Sequence, residues 1–170
     1  FFVVEGQLPL DTLLKSGVEA TGKNLTFTGR TDLWEAMFKE IARHPWLGAG
    51  YGGFWTGLNG PSATIVAAFS WGPGQAHSGY IEVTNELGLV GISLFVVMLI
   101  LHLTNIIKVY RADQPDLATF HLAMLVVALL LNFTESNFMR TTHLWWIALS
   151  TSIIAIHIQV QRIGKKDAPD

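Results

Sequence analysis

Two side chains in this sequence carry the chemistry of a charged group transfer: Arg30, beside Gly29 and just ahead of an amphipathic run, and His77, which follows the turn-forming pair Pro73-Gly74. A guanidinium offers a planar fork of donors to phosphate oxygens, so Arg30 could grip a diphosphate and stabilise its departure without a metal; Lys would do this less well. An imidazole titrates, as a residue type, near neutral pH and can take a proton from an attacking hydroxyl, which would make His77 a general base. Each also has a plain reading, because a lone loop histidine is commonly structural or merely exposed and a loop arginine commonly sits in a surface ion pair. Glu82 and Glu86 follow His77 on one short helical stretch, as acceptor contacts or orienters of the imidazole, although helix solubility explains them too. Tyr80 suits a sugar or a packed interface equally. Glu135 and Arg140 are the acid and the base between two apolar runs, where each needs a partner or water.

The elements that position these residues belong in a membrane. Of 170 residues half are hydrophobic and only 14% are charged, with a mean hydropathy of +0.38, which is too apolar for an ordinary soluble domain. A net charge of −2 without a basic cluster leaves no electrostatic footprint for nucleic acid. Cysteine is absent, so disulfides, zinc fingers, thiol catalysis and iron–sulfur clusters are excluded. No Asp, Glu or His cluster has metal-ligand spacing, and no metal or other cofactor is expected. The sequence starts at Phe1 with no signal peptide in view, so an N-terminal part is expected to be missing and residues 1–4 to be the end of an earlier span.

These features predict an all-α polytopic membrane protein with three transmembrane helices and one large periplasmic loop containing amphipathic helices. Residues 87–107 hold no acid or base except His102, and residues 117–133 and 144–160 hold no Asp, Glu, Lys or Arg; about 20 apolar residues cross the hydrocarbon layer. Lys108 and Arg111 follow the first span, and Arg162, Lys165 and Lys166 the third, against Arg140 alone between the second and third. The positive-inside rule then makes residues 108–116 and the tail 161–170 cytoplasmic, and the loop 5–86 and the hairpin 134–143 periplasmic. All six Trp fall on that outer side, as an interfacial belt or a sugar-stacking surface requires.

Within the loop, Asp32 and Glu35 make a capping box, and Leu33, Trp34, Met37, Phe38 and Ile41 mark an apolar face, predicting a helix over 33–44 that ends before Pro45. Its other face, with Glu35, Lys39 and Arg43, reads as solvated, the helix lying on the bilayer or against the spans. The next stretch formally contains GxGxxG at Gly48, Gly50 and Gly53, but no strand precedes it, so a tight loop in which backbone approaches a ligand or another helix is the better reading. Ser78 is expected to cap a helix from Gly79 to Glu86 that runs into the first span. The sequons at Asn24 and Asn132 are too short a pattern to carry weight.

Three spaced blocks, Thr28-Gly29-Arg30-Thr31-Asp32-Leu33-Trp34, His44-Pro45-Trp46-Leu47-Gly48-Ala49-Gly50-Tyr51-Gly52 and His77-Ser78-Gly79-Tyr80-Ile81-Glu82, followed by Glu86-Leu87-Gly88-Leu89-Val90-Gly91, resemble the C-terminal signature of the O-antigen ligase and polymerase (Wzy-like) superfamily. Gly50-Tyr51-Gly52-Gly53-Phe54-Trp55 is most similar to the exopolysaccharide polymerases of the succinoglycan type, and Asn132-Phe133-Thr134-Glu135-Ser136 resembles a further family block. The resemblance covers roughly residues 26–150. It implies a GT-C-like, metal-independent membrane glycosyltransferase at the bacterial inner membrane, working on its periplasmic face. The implied donor is a polyprenyl-diphosphate-linked oligosaccharide, and the acceptor a growing glycan or the lipid A-core. Arg30 then matches the block implicated in diphosphate binding and His77 the catalytic base, while the family's other functional arginine lies upstream. Polymerase and ligase share this mechanism and differ in acceptor. A non-catalytic export or flippase component that binds the same lipid-linked glycan would instead expect ionisable residues along the spans, where only His102, His121 and His157 stand.

Overall fold

A computed structural model describes residues 29–166, which contain five α-helices and a short 3-10 turn and no β-strand. The expectations for residues 1–4, for the first part of the loop with its Asn24 sequon, and for residues 167–170 lie outside the described residues.

Helix α1, Arg30–Ile41, begins earlier than the capping box predicts. Gly29 enters it in the left-handed conformation, φ 77°, and no side chain caps it, so Asp32 lies inside the first turn, where its charge still suits the positive helix end. Leu33 and Met37 are fully buried against Phe54, Ile65, Ala76 and Ile81. Phe38, expected on that face, is exposed. The solvated face is as read: Lys39 donates to Glu35 at 2.6 Å, and this bond holds the Glu35 carboxyl below its ordinary pKa.

The loop continues through a 3-10 turn, Gly57–Asn59, and helix α2, Ala63–Ala68, into helix α3, Gly79–Arg111. Ser78 stands at the N-cap of α3 without the expected side-chain hydrogen bond. At Gly88 the backbone leaves helical geometry, φ 64° and ψ −167°. In an unbroken helix the Leu89 and Val90 N–H groups would bond to the Asn85 and Glu86 carbonyls. Here they donate to the carbonyls of Pro45 and Trp46, at 2.7 and 3.1 Å, while the Asn85 and Glu86 carbonyls accept from Ala49 and Gly50, both at 2.9 Å. Four intersegment bonds replace two helical ones, so no polar group freed by the break is left without a partner. A Cβ at Gly48 would strike the Glu86 backbone and one at Gly88 the Trp46 carbonyl, which is why both positions are glycine. The glycine-rich loop therefore serves the close approach of another helix.

Helix α4, Pro115–Leu131, starts with proline in its first turn, and helix α5 is Leu144–Lys166. The helices α3 and α5 are long and apolar enough to cross a membrane, and α4 is a shorter apolar helix. The last two residues of the expected second span, Asn132 and Phe133, leave α4 in a turn. Phe95, Ile106 and Val109 of α3 pack with Leu125 and Ala128 of α4 and Leu149 and Ile156 of α5. Leu94, Val97, Ile100, Phe120, Leu130 and Ile154 stay exposed on the outside of this bundle, a surface that suits hydrocarbon rather than water. Inside it, Ser152 lies 2.7 Å from His121 Nδ1 and 3.2 Å from His102 Nε2, tying the three helices together by polar contacts.

Candidate functional site

The site is built on the turn that follows α4. Asn132 donates from Nδ2 to the Ala128 carbonyl at 2.8 Å and accepts at Oδ1 from the Asn137 and Phe138 N–H groups, both at 2.9 Å. One buried amide thus reverses the chain and shapes the hairpin. Against it lies the start of α3: Gly79 N–H is shared between the Asn132 and Glu135 carbonyls, at 2.9 and 3.0 Å, and Ser78 N–H donates to Ser136 Oγ at 3.2 Å. A Cβ on Gly79 would run into the Asn132 side chain, so this approach needs glycine.

Glu82, one turn into α3, is 1% exposed. Its Oε1 accepts from Arg140 Nη2 at 2.6 Å, and its Oε2 from Ala76 N–H at 2.7 Å and Ser136 Oγ at 3.3 Å. Helix solubility is therefore the wrong explanation for Glu82; the arginine and donors that allow its burial come from elsewhere in the chain. Glu86 is buried as well, next to the break in α3 and ahead of the apolar run. Burial pushes its carboxyl above the ordinary 4.5, opposed by a hydrogen bond from the Gly52 N–H.

Arg30 and His77 are brought to this hairpin from two sides. Arg30 Nη1 donates to the Thr134 carbonyl at 3.1 Å. His77 is half-buried and in the left-handed region, φ 51°, with its Nδ1 3.4 Å from Gln75 Nε2. Trp71 lies near both segments: its ring is tilted 53° to the His77 imidazole at 5.8 Å between centroids, and its Nε1 is 3.7 Å from where a Cβ of Gly29, the residue before Arg30, would stand. Trp34 on α1 donates to the Ala76 carbonyl at 2.8 Å, which fastens the other side of the His77 turn.

Of the remaining sequence candidates, Tyr80 packs between Phe133 and Phe138 and donates to the Leu129 carbonyl at 2.9 Å, an interface role. Glu135 is exposed and Arg140 half-buried, both on the hairpin. Sequence reasoning left Trp71 among the six belt tryptophans and did not single out Asn132 or Ser136. For those two the signal was the Asn132–Ser136 block, for Trp71 only its separation of six residues from His77. Among the described residues no group of three or more His, Asp or Glu is placed to hold a metal ion.

This arrangement places Arg30 and the backbone that follows His77 on one hairpin at the end of an apolar helical bundle. A family model described as O-antigen ligase matches residues 2–96. The exopolysaccharide production protein ExoQ of Rhizobium meliloti (strain 1021) is 31% identical over 100 residues, which are 57% of this chain and 23% of that protein. The chain thus spans under a quarter of the length of that curated relative. No solved structure matches. The family match runs through Arg30, the glycine-rich loop and His77 into α3 and covers more than half of the sequence, and the chain belongs to the O-antigen ligase family.

Proposed function

We propose that the chain is the catalytic C-terminal part of a bacterial inner-membrane glycosyltransferase that polymerises polyprenyl-diphosphate-linked repeat units of an exopolysaccharide or O-antigen on the periplasmic face. The observation that carries this reading is that one hairpin holds both Arg30, through the Thr134 carbonyl, and the Ser78-Gly79 backbone that follows His77. An acceptor hydroxyl attacks the anomeric carbon of the donor, and the bond from that carbon to the diphosphate oxygen breaks. His77 takes the hydroxyl proton, and the Arg30 guanidinium holds the negative charge that develops on the leaving diphosphate. Glu135 and Arg140, which keep exposed surface on the hairpin, contact the sugars or the diphosphate. The apolar runs 87–107, 117–133 and 144–160, on α3, α4 and α5, are three spans, with residues 108–116 and the tail cytoplasmic and the loop and hairpin periplasmic, so the reaction proceeds at the outer bilayer surface.

The likeness to an exopolysaccharide production protein supports the polymerase. The family description supports a second reading, a ligase that transfers the glycan to lipid A-core with the same residues. An export component has less support, because His102 and His121 are occupied with Ser152 between helices. The test is product formation by the purified full-length protein with lipid-linked donor, next to complementation of a polymerase-null and a ligase-null strain. Restored polymer in the first strain alone supports the polymerase, restored capping of lipid A-core in the second the ligase, and no glycan transfer in any assay overturns both.

A further inference from the structure

We propose that Glu82 is a positioning residue: its buried carboxylate fixes the left-handed turn that presents His77, acting through the backbone on either side of the imidazole. This rests on the assignment of His77 as base. A non-glycine residue in the left-handed region is costly and persists only where its surroundings over-determine it. The peptides flanking His77, φ 51°, are held accordingly. Ala76 N–H donates to Glu82 Oε2 at 2.7 Å, the Ala76 carbonyl accepts from Trp34 at 2.8 Å, and Ser78 N–H donates to Ser136 Oγ at 3.2 Å. Ser136 Oγ in turn donates to Glu82 Oε2 at 3.3 Å. One carboxylate therefore holds the Gln75–Ala76 peptide, one removed from His77, directly and the peptide after His77 through a hydroxyl.

The same geometry removes Glu82 from the surface that meets substrate. Both of its oxygens are engaged, Oε1 by Arg140 at 2.6 Å, and the residue is 1% exposed. Charge is needed as well as shape, because a neutral amide at this position would have to point its NH2 group at Arg140 or at the Ala76 N–H, both donors. Arg140 pairs with the carboxylate and aims it, and a buried charge deprived of such a partner would be unstable.

The experiment compares wild type, Glu82→Gln, Ser136→Ala and His77→Ala of the full-length protein in proteoliposomes, measuring kcat, donor KM and the rate at which diethyl pyrocarbonate labels His77, with exposed His44 as internal control. Glu82→Gln should lower kcat about a hundredfold, the scale of a misplaced reacting group, and leave KM within about threefold. His77 labelling should change while His44 labelling does not. Ser136→Ala should move the same readouts less, and it carries the test if Glu82→Gln fails to fold. Unchanged kcat and unchanged His77 labelling in both variants would overturn the inference, as would a loss seen mainly in KM, the signature of a substrate contact. Full activity in His77→Ala sinks the base assignment instead, and the labelling data still judge whether Glu82 holds the turn.

Discussion

Arg30 Nη1 donates to the main-chain carbonyl of Thr134, 104 residues away, so the arginine is aimed by a group that mutation of side chains cannot remove. One guanidinium N–H is used there, and the others have no partner among the described residues. Arg30→Ala in the full-length protein should cost about 2.7–4 kcal/mol of transition-state stabilisation if its loss resembles that of one oxyanion donor. Arg30→Lys should recover only part, since the ammonium keeps charge and loses the planar fork. Rates with purified lipid-linked donor check both; equal rates for Lys and Arg would show that charge alone suffices.

His77→Ala should abolish chain extension and leave membrane insertion intact, because the half-buried imidazole contributes little packing. Product by gel or mass spectrometry, alongside membrane-fraction yield, reads the two effects separately. Near wild-type product would remove the base assignment.

Chelation should leave the rate unchanged, since the reading gives the leaving-group charge to a guanidinium. Loss of product with EDTA, restored by a divalent cation, would replace the arginine clamp with a metal.

The break in α3 makes a stability prediction. Gly88→Ala places a Cβ against the Trp46 carbonyl at φ 64° and ψ −167°, a region kept essentially to glycine that alone costs about 1–3 kcal/mol for a residue with a side chain. Gly48→Ala, at φ 68°, meets the Glu86 backbone. Both should lower the melting temperature in detergent and the yield of folded protein, whereas Gly74→Ala, where a Cβ meets open space, should not.

Glu86 gives a pH dependence. Its carboxyl is raised in the fold, so its contribution is fully present below the unfolded value of 4.5 and is lost as pH rises through the folded one. Glu86→Gln keeps an oxygen for the Gly52 N–H and has no proton to lose. Wild type and variant should melt alike near about pH 4, and the variant should melt higher by about pH 8. A gap that does not grow with pH would mean that Glu86 ionises as freely as in the unfolded chain.

The apolar runs were legible because hydrophobic length is local information: 144–160 lies within one observed helix, and 87–107 lies on α3 from just before its break at Gly88. The solvated Glu35–Lys39 face was legible for the same reason, being four residues apart. The start of α1 was not, since Gly29 in a left-handed entry removed the need for a capping side chain at Asp32. The burial of Glu82 was illegible from its neighbours, because the residue that permits it, Arg140, is 58 positions away. The two candidates Arg30 and His77 were visible by type, but their common hairpin was visible only as an expectation that Glu135 and Arg140 needed partners.

The backbone exchange at Gly88 separates what must stay constant from what is free to change. Its bonds between Pro45 and Val90 are made by N–H and C=O groups; Trp46, 67% exposed, contributes only main chain to them, and Leu47, 73% exposed, makes none. Inserting or deleting one residue here would slip every bond of the exchange at once, whereas swapping these two side chains would touch none of them. A fixed frame with replaceable outward side chains lets this surface change while α3 and the His77 turn keep their register.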